Sequence, residues 1–94
     1  MVIIMADQTR VKDVVIELLA TVTERDVAEI AANLNASLTE DFHLSSLQYF
    51  PLLGGLEDRL NIELDYSGFL TDVHTVNEAI DYVAKIVYQA STES

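Results

Sequence analysis

The sequence predicts an all-α fold, a small bundle of three longer helices plus a short third helix. Apolar residues recur at steps of three and four along most of the chain, which is the spacing of one helix face. No segment alternates apolar and polar residues as a half-buried strand would. The chain has 94 residues, of which 50% are hydrophobic, so it has material for one core and is too short for two.

The first long helix is predicted to begin near Thr9, with Asp7 as the competing N-cap. Residues 27–34 keep the helical period after a cap-like start at residues 23–26, so they either prolong this helix or form a short helix in the connection. Residues 37–40 have capping-box spacing and predict a single ordered turn. The apolar stripe of the first helix is Val11, Val14, Val15, Leu18, Leu19 and Val22.

The second long helix is predicted from about Ser46 to Leu60. Pro51 removes an internal hydrogen bond, at a cost of up to ~3 kcal/mol, and Gly54 and Gly55 weaken the helix by roughly 1 kcal/mol each. Two alternatives follow: the helix bends at Pro51, or its regular part starts there, since proline is tolerated at the first helical position. The apolar side of this helix carries Leu47, Phe50, Leu53, Leu56 and Leu60.

The last third of the sequence predicts a turn over residues 65–68, a short third helix over 69–73 and a final long helix. Residues 75–78 form a capping-box pattern at the start of that helix. We expect a flexible N-terminus over residues 1–8, a single helical domain over 9–88 and a frayed tail over 89–94. The buried stripe of the final helix is predicted as Val76, Ala79, Ile80, Val83, Ile86 and Val87.

The charge balance restricts the class of partner. The chain has 5 basic and 16 acidic residues, which gives a formal net charge of −11. Such a surface repels nucleic acid and anionic membranes, so neither is expected as a partner, and it attracts proteins with basic patches. The chain has no cysteine, which excludes disulfides and thiolate chemistry. Residues 1–5 are too short for a signal peptide and no apolar run spans a bilayer, so we expect a cytoplasmic protein. We also expect it to be a monomer.

The residues that could perform catalysis do not form a recognisable constellation. His43 and His74 are the two histidines, and a triad of His43 with Asp41 and a serine from the same loop is sterically unfavourable. Neither metal-ligand spacing nor a phosphate-binding glycine loop occurs. The sequence therefore predicts no catalytic residue, no metal site and no enzymatic activity.

The most informative segment is residues 35–47, which read NASLTEDFHLSSL. It places Ser45 and Ser46 at the predicted start of the second long helix. Backbone N–H groups and the positive end of the helix dipole favour a phosphate-linked group at such a position. A serine that receives a group from another enzyme needs only an exposed hydroxyl on a recognisable helix, which suits a chain without catalytic machinery.

This segment resembles the acyl carrier proteins. In that family an Asn-Ala-Ser-x-x-Glu-Asp-Leu-Gly-x-Asp-Ser-Leu motif leads into the second helix, and its last Ser carries 4′-phosphopantetheine. The chain matches the motif in ungapped register at Asn35, Ala36, Ser37, Glu40, Asp41, Ser46 and Leu47. The register continues at Leu52, Leu56, Glu57, Asp58, Leu60, Ile62 and Glu63, and residues 75–83 resemble the family's final helix, so the resemblance spans roughly residues 9–88.

The resemblance implies an acyl-carrier-like bundle with a carrier-type domain over residues 9–88. It implies covalent 4′-phosphopantetheine, derived from coenzyme A, on Ser46; Ser45 is less favoured because Leu47 follows Ser46 and the downstream spacing fits. The implied partners are a phosphopantetheinyl transferase and acyltransferase- or ketosynthase-type enzymes with basic patches. The implied docking residues are Asp41, Leu47, Gln48, Phe50, Glu57, Asp58 and Glu63.

The departures from the family pattern favour particular partners. Ser45 replaces the usual Asp, His43 the usual Gly, and Gln48 and Pro51 stand where acidic residues are common. An uncharged, partly aromatic first half of the docking helix favours polyketide or specialised metabolism over housekeeping fatty acid synthesis. The competing function class is an unmodified acidic helical module that binds a partner and carries nothing; a small hydrolase is the third.

Overall fold

The computed structural model describes the backbone of residues 2–93 and the side chains of residues 9–89. Over this range the chain forms helices and no strand, with one isolated bridge between Ser37 and Thr75. The predicted all-α bundle is confirmed. Its helices are α1 (Val2–Thr23), α2 (Val27–Ala32), α3 (Ser46–Leu60), α4 (Tyr66–Asp72) and α5 (Val76–Glu93), of which α1, α3 and α5 are long.

Helix α1 is the centre of the bundle and packs against both α3 and α5. The short helix α4 contributes Phe69, which is fully buried between Tyr49 of α3 and Tyr82 of α5 in two edge-to-face ring contacts with centroid distances of 6.2 and 5.5 Å. Burial of a side chain of this size stabilises the fold by roughly 1.5–3 kcal/mol. Burial raises the pKa of the Tyr49 hydroxyl.

The helix boundaries differ from the predicted ones at several points. Helix α1 begins at Val2, so Thr9 and Asp7 both lie inside the helix, and the prediction of either as its N-cap was wrong. Helix α5 continues to Glu93. Flexibility of residues 1–8 and fraying of residues 89–94 stay predictions; Met1 and Ser94 lie outside the described residues.

The two short helices, α2 and α4, show whether the first helix extends past residue 26 and whether residues 65–68 form a turn. Glu24 adopts a left-handed conformation, with φ 55°, and ends α1, so residues 27–32 form a separate helix instead of prolonging α1. The predicted turn over residues 65–68 was wrong, since α4 begins at Tyr66 with Asp65 as its N-cap. A Cβ atom on Gly68 would lie 2.8 Å from the Tyr82 hydroxyl, so the glycine permits close packing of α4 on α5.

Helix α3 continues from Ser46 through Pro51 to Leu60, so the alternative in which the regular helix starts at Pro51 was wrong. Because proline has no N–H, Pro51 cannot donate the helical hydrogen bond that the Leu47 carbonyl would otherwise accept. Leu47 is 77% exposed, so water reaches this part of the helix. Farther along, a Cβ atom on Gly55 would lie 2.9 Å from Leu18 of α1, which shows that the glycine allows α1 and α3 to approach closely.

Within residues 2–93, none of the helices combines the length and the apolar run that crossing a membrane requires.

Candidate functional site

The loop that leads into α3 is ordered by side-chain caps and by contacts with α5. Ser37 Oγ accepts the Glu40 N–H at 3.1 Å, as the capping-box spacing predicts. The reciprocal bond comes from Asp41, whose Oδ2 accepts the Ser37 N–H at 2.7 Å. The fully buried Leu38 donates its N–H to the His74 carbonyl at 2.9 Å, which fixes this turn to the start of α5.

His43 sets the direction of the chain just before the helix. It is exposed and has a left-handed backbone, with φ 58°, between the buried side chains of Phe42 and Leu44. The Leu44 N–H donates to the Leu38 carbonyl at 2.9 Å. Phe42 is also covered by the guanidinium of Arg25, 5.3 Å from the ring centre. The buried side chains of Phe42 and Leu44 therefore hold the exposed turn at His43, which leads to Ser45.

The two candidate serines occupy different positions of α3. Ser45 is the N-cap, with extended backbone angles, and its N–H donates to Gln48 Oε1 at 2.8 Å. Ser46 is the first helical residue, and its side chain is exposed. Within the described part of the chain, no hydrogen bond engages Ser46 Oγ. The hydroxyl of Ser46 is thus free to react.

The surroundings of Ser46 suit a phosphodiester. The hydroxyl lies at the N-terminal end of a 15-residue helix, where the helix dipole and unpaired N–H groups favour negative charge. The first turn of α3 contains no acidic residue that would repel a phosphate. The residues present therefore fit a phosphate-linked group on Ser46.

Five of the seven predicted docking residues are exposed. Leu47 is 77% exposed next to Ser46, and Phe50, one turn farther along, is 62% exposed. The Phe50 ring lies against the Tyr66 ring of α4, with a centroid distance of 6.1 Å. The start of α3 therefore presents an apolar surface beside the serine. The exposed acidic residues of the predicted set are Asp41, Asp58 and Glu63.

The remaining two predicted docking residues, Gln48 and Glu57, are half-buried and bind the protein's own backbone. Gln48 Nε2 donates to the Val22 carbonyl at 2.7 Å, in addition to the bond from Ser45. Glu57 accepts the Leu64 N–H at 2.8 Å and the Tyr66 hydroxyl at 3.0 Å. Burial, followed by the hydrogen bond and the charge of Glu57, raises the pKa of Tyr66.

Sequence reasoning did not include Tyr66 and Leu70 of α4 in this surface. Tyr66 borders Phe50, and Leu70, one helical turn after Tyr66, is 46% exposed. The available signal was the spacing: Leu70 follows Tyr66 by four residues, which places both on one face of a helix. This spacing is informative only when α4 is known to begin at Tyr66. Gln48 was included, but as a docking residue; the available signal for its capping role was its spacing from Ser45, which is that of a capping box.

The other candidate chemistry is not assembled around Ser46. His43 and His74 are both exposed. In the part of the chain that the structure describes, no three His, Asp or Glu side chains form a group suited to a metal ion. The absence of a metal and of catalysis stays a prediction.

Comparison with known proteins identifies the family. The family model described as "Phosphopantetheine attachment site" matches residues 13–83, which run from α1 into α5 and include the Ser45–Ser46 pair. A search of curated proteins found no match for this chain. Domains of this family carry a covalent 4′-phosphopantetheine and are generally carriers without catalytic activity. The chain therefore belongs to the phosphopantetheine attachment family, to which the acyl carrier proteins belong, and is a carrier of 4′-phosphopantetheine.

Proposed function

We propose that this protein is an acyl carrier protein whose 4′-phosphopantetheine arm is attached to Ser46. It holds acyl intermediates and presents them to synthase enzymes, more in keeping with polyketide or specialised metabolism than with housekeeping fatty acid synthesis. We further propose that it acts as a cytoplasmic monomer and catalyses no reaction itself.

The observation that carries the choice of serine is the exposed Ser46 hydroxyl without a hydrogen-bond partner in the described part of the chain. Ser45 is exposed as well, but it serves as the N-cap: its side chain takes part in a capping box with the Gln48 backbone, and its own backbone N–H donates to Gln48 Oε1. A transferase can therefore reach Ser46 without opening the cap of α3. The ungapped register with the acyl carrier motif supports the same serine.

The prosthetic group supplies a thiol that forms a thioester with the acyl group. The chain's own contribution is to hold Ser46 at a fixed end of α3 and to present a surface beside it. A tethered substrate reaches each partner enzyme at high effective concentration, so the carrier needs only moderate affinity for each.

The surface beside Ser46 supports a specialised set of partners. The first two exposed side chains of α3 after Ser46, Leu47 and Phe50, are apolar, while the exposed carboxylates of Asp58 and Glu63 lie in the last turn of α3 and just after it. The net charge of −11 attracts enzymes with basic patches. Such partners combine an apolar contact near the serine with basic residues farther away.

The attachment site is tested by intact-mass measurement after incubation with coenzyme A and a promiscuous phosphopantetheinyl transferase. We expect the wild type and Ser45→Ala to gain one phosphopantetheine and Ser46→Ala to gain none. A gain that persists in Ser46→Ala and vanishes in Ser45→Ala would move the site to Ser45. No gain in the wild type would favour the unmodified interaction module.

The pathway is tested with the loaded protein. We expect malonyl- or acyl-loaded carrier to be a better substrate for polyketide-type than for fatty-acid-type ketosynthases, as measured by kcat/KM. Equal or better turnover by the fatty-acid enzymes would contradict the specialised role while leaving the carrier function intact.

A further inference from the structure

The side chain of Gln48 connects two helix ends that lie far apart in the sequence. Its Oε1 accepts the N–H of Ser45, the N-cap of α3, at 2.8 Å. Its Nε2 donates to the carbonyl of Val22, in the last turn of α1, at 2.7 Å. The two bonds fix which end of the amide carries the nitrogen, because an N–H needs an acceptor and a carbonyl needs a donor.

The Val22 carbonyl needs this donor because α1 ends one residue later. The last four carbonyls of a helix have no partner within it. The Glu24 and Arg25 N–H groups turn back to the carbonyls of Thr21 and Ala20, at 3.4 and 2.9 Å. The left-handed Glu24 then directs the chain away from the helix axis. Gln48 therefore caps α1 and α3 with one side chain.

An amide suits this position, and a carboxylate does not. A carboxylate accepts hydrogen bonds but donates none, so it would retain the bond from Ser45 and lose the bond to Val22. Its charge would be favourable at the N-terminus of α3 and unfavourable at the C-terminus of α1. Gln48 is neutral and satisfies both ends.

We propose that Gln48 is a positioning residue for the attachment serine: it holds the first turn of α3, and with it Ser46, against the end of α1. Ser46 lies between Ser45 and Gln48 in that turn and has no hydrogen bond of its own from the side chain in the described region. This inference rests on the proposed role of Ser46, and it assigns Gln48 a function other than charge-based docking.

The structural part is tested on the full-length, unmodified protein by amide hydrogen exchange. Gln48→Met has similar length and makes neither bond; Gln48→Glu retains only the acceptor. We expect exchange of the Ser45 N–H to rise about two- to tenfold in Gln48→Met and to stay near wild type in Gln48→Glu. Exchange at Glu24 and Arg25 should rise in both. Wild-type rates at all three amides in Gln48→Met would overturn the proposal.

The functional part is tested by the kinetics of loading with coenzyme A and the transferase. Less order in the first turn lowers the fraction of binding-competent carrier, so the KM for Gln48→Met should rise about two- to tenfold while kcat stays near wild type. Thr75→Ala is the matched control, because it removes a cap of similar strength at the start of α5.

The control separates positioning from stability. We expect Thr75→Ala to lower the melting temperature to a similar extent without raising the KM. An equal rise of the KM in Thr75→Ala, or an unchanged KM in Gln48→Met, would overturn the positioning role. If the wild type accepts no phosphopantetheine, the proposed function fails, and the exchange rates still decide whether Gln48 joins the two helix ends.

Discussion

His43 has a left-handed backbone, with φ 58°, in the loop before the attachment helix. A side chain in this conformation costs about 1–2 kcal/mol, because its Cβ crowds the following carbonyl oxygen. Glycine, which the acyl carrier motif has here, avoids this crowding. The site thus retains a strained residue where the family pattern has an unstrained one.

His43→Gly is expected to stabilise the protein by about 0.5–1 kcal/mol, since relief of the left-handed strain exceeds the added entropy of the unfolded chain. The measurement is the urea midpoint at constant slope. His74→Gly is the matched control: His74 lies outside the left-handed region, so the same substitution should destabilise. A lower midpoint for His43→Gly would show that the imidazole makes a compensating interaction.

Glu57 and Asp58 are neighbouring acidic residues of α3, and they have different roles. Glu57 accepts hydrogen bonds from the Leu64 N–H and the Tyr66 hydroxyl, and so fixes the connection from α3 to α4. Asp58 is exposed and has no hydrogen bond or ion pair within the described side chains. Sequence reasoning assigned both to docking, because a sequence does not show which carboxylate faces a backbone amide.

Glu57→Gln is expected to destabilise the protein by about 1–2 kcal/mol. The amide oxygen can still accept the Leu64 N–H and the amide nitrogen can donate to the Tyr66 hydroxyl, but these neutral hydrogen bonds are weaker than those to a carboxylate. Asp58→Asn removes the same charge and should change stability by less than about 0.5 kcal/mol. Chemical denaturation measures both. If the carboxylates serve docking alone, the two variants will have equal stability and both will bind basic partners less tightly.

At the scale of elements, the contact between α1 and α3 depends on one of two adjacent glycines. A Cβ atom on Gly55 would lie 2.9 and 3.3 Å from the two methyl groups of Leu18. A Cβ atom on Gly54 would meet only the Tyr66 hydroxyl, at an ordinary 3.8 Å. The sequence shows two equivalent glycines, whereas the packing leaves space for a methyl group at Gly54 and requires Leu18 to move for one at Gly55.

Gly54→Ala is therefore expected to raise stability by up to about 1 kcal/mol, the difference in helix propensity between the two residues. Gly55→Ala gains the same propensity but must displace Leu18, so it should be less stable than Gly54→Ala by at least about 1 kcal/mol. Thermal melts of both variants provide the comparison. Equal stability of the two would mean that Leu18 reorients at no cost.

At the scale of the whole molecule, charge repulsion opposes the compact state. The net charge is −11, and the described side chains form two exposed ion pairs, Arg25–Glu29 and Arg59–Glu17. Exposed pairs of this kind contribute little to stability, typically about 0–1 kcal/mol each. With 16 acidic residues against 5 basic ones, we expect repulsion among the acidic residues to outweigh these pairs.

Added salt or divalent cations are therefore expected to raise the melting temperature, by about 4–8 °C for each kcal/mol of repulsion relieved. Calorimetry in rising NaCl, and in MgCl2 at matched ionic strength, measures this effect. Variants that each replace one exposed carboxylate with its amide, such as Asp58→Asn, should show a smaller response. A melting temperature that is constant or falls with salt would contradict the expectation.

The sequence by itself determined the all-α class, the three long helices and the register that places Ser46 at the start of α3. Helical periodicity and capping patterns are local, so they can be read within one segment. Only the tertiary structure decided that Gln48 meets the Val22 carbonyl and that Glu57 holds the loop to α4. Periodicity identifies the apolar face of a helix, but an unpaired backbone group finds its partner only when separate helices pack together.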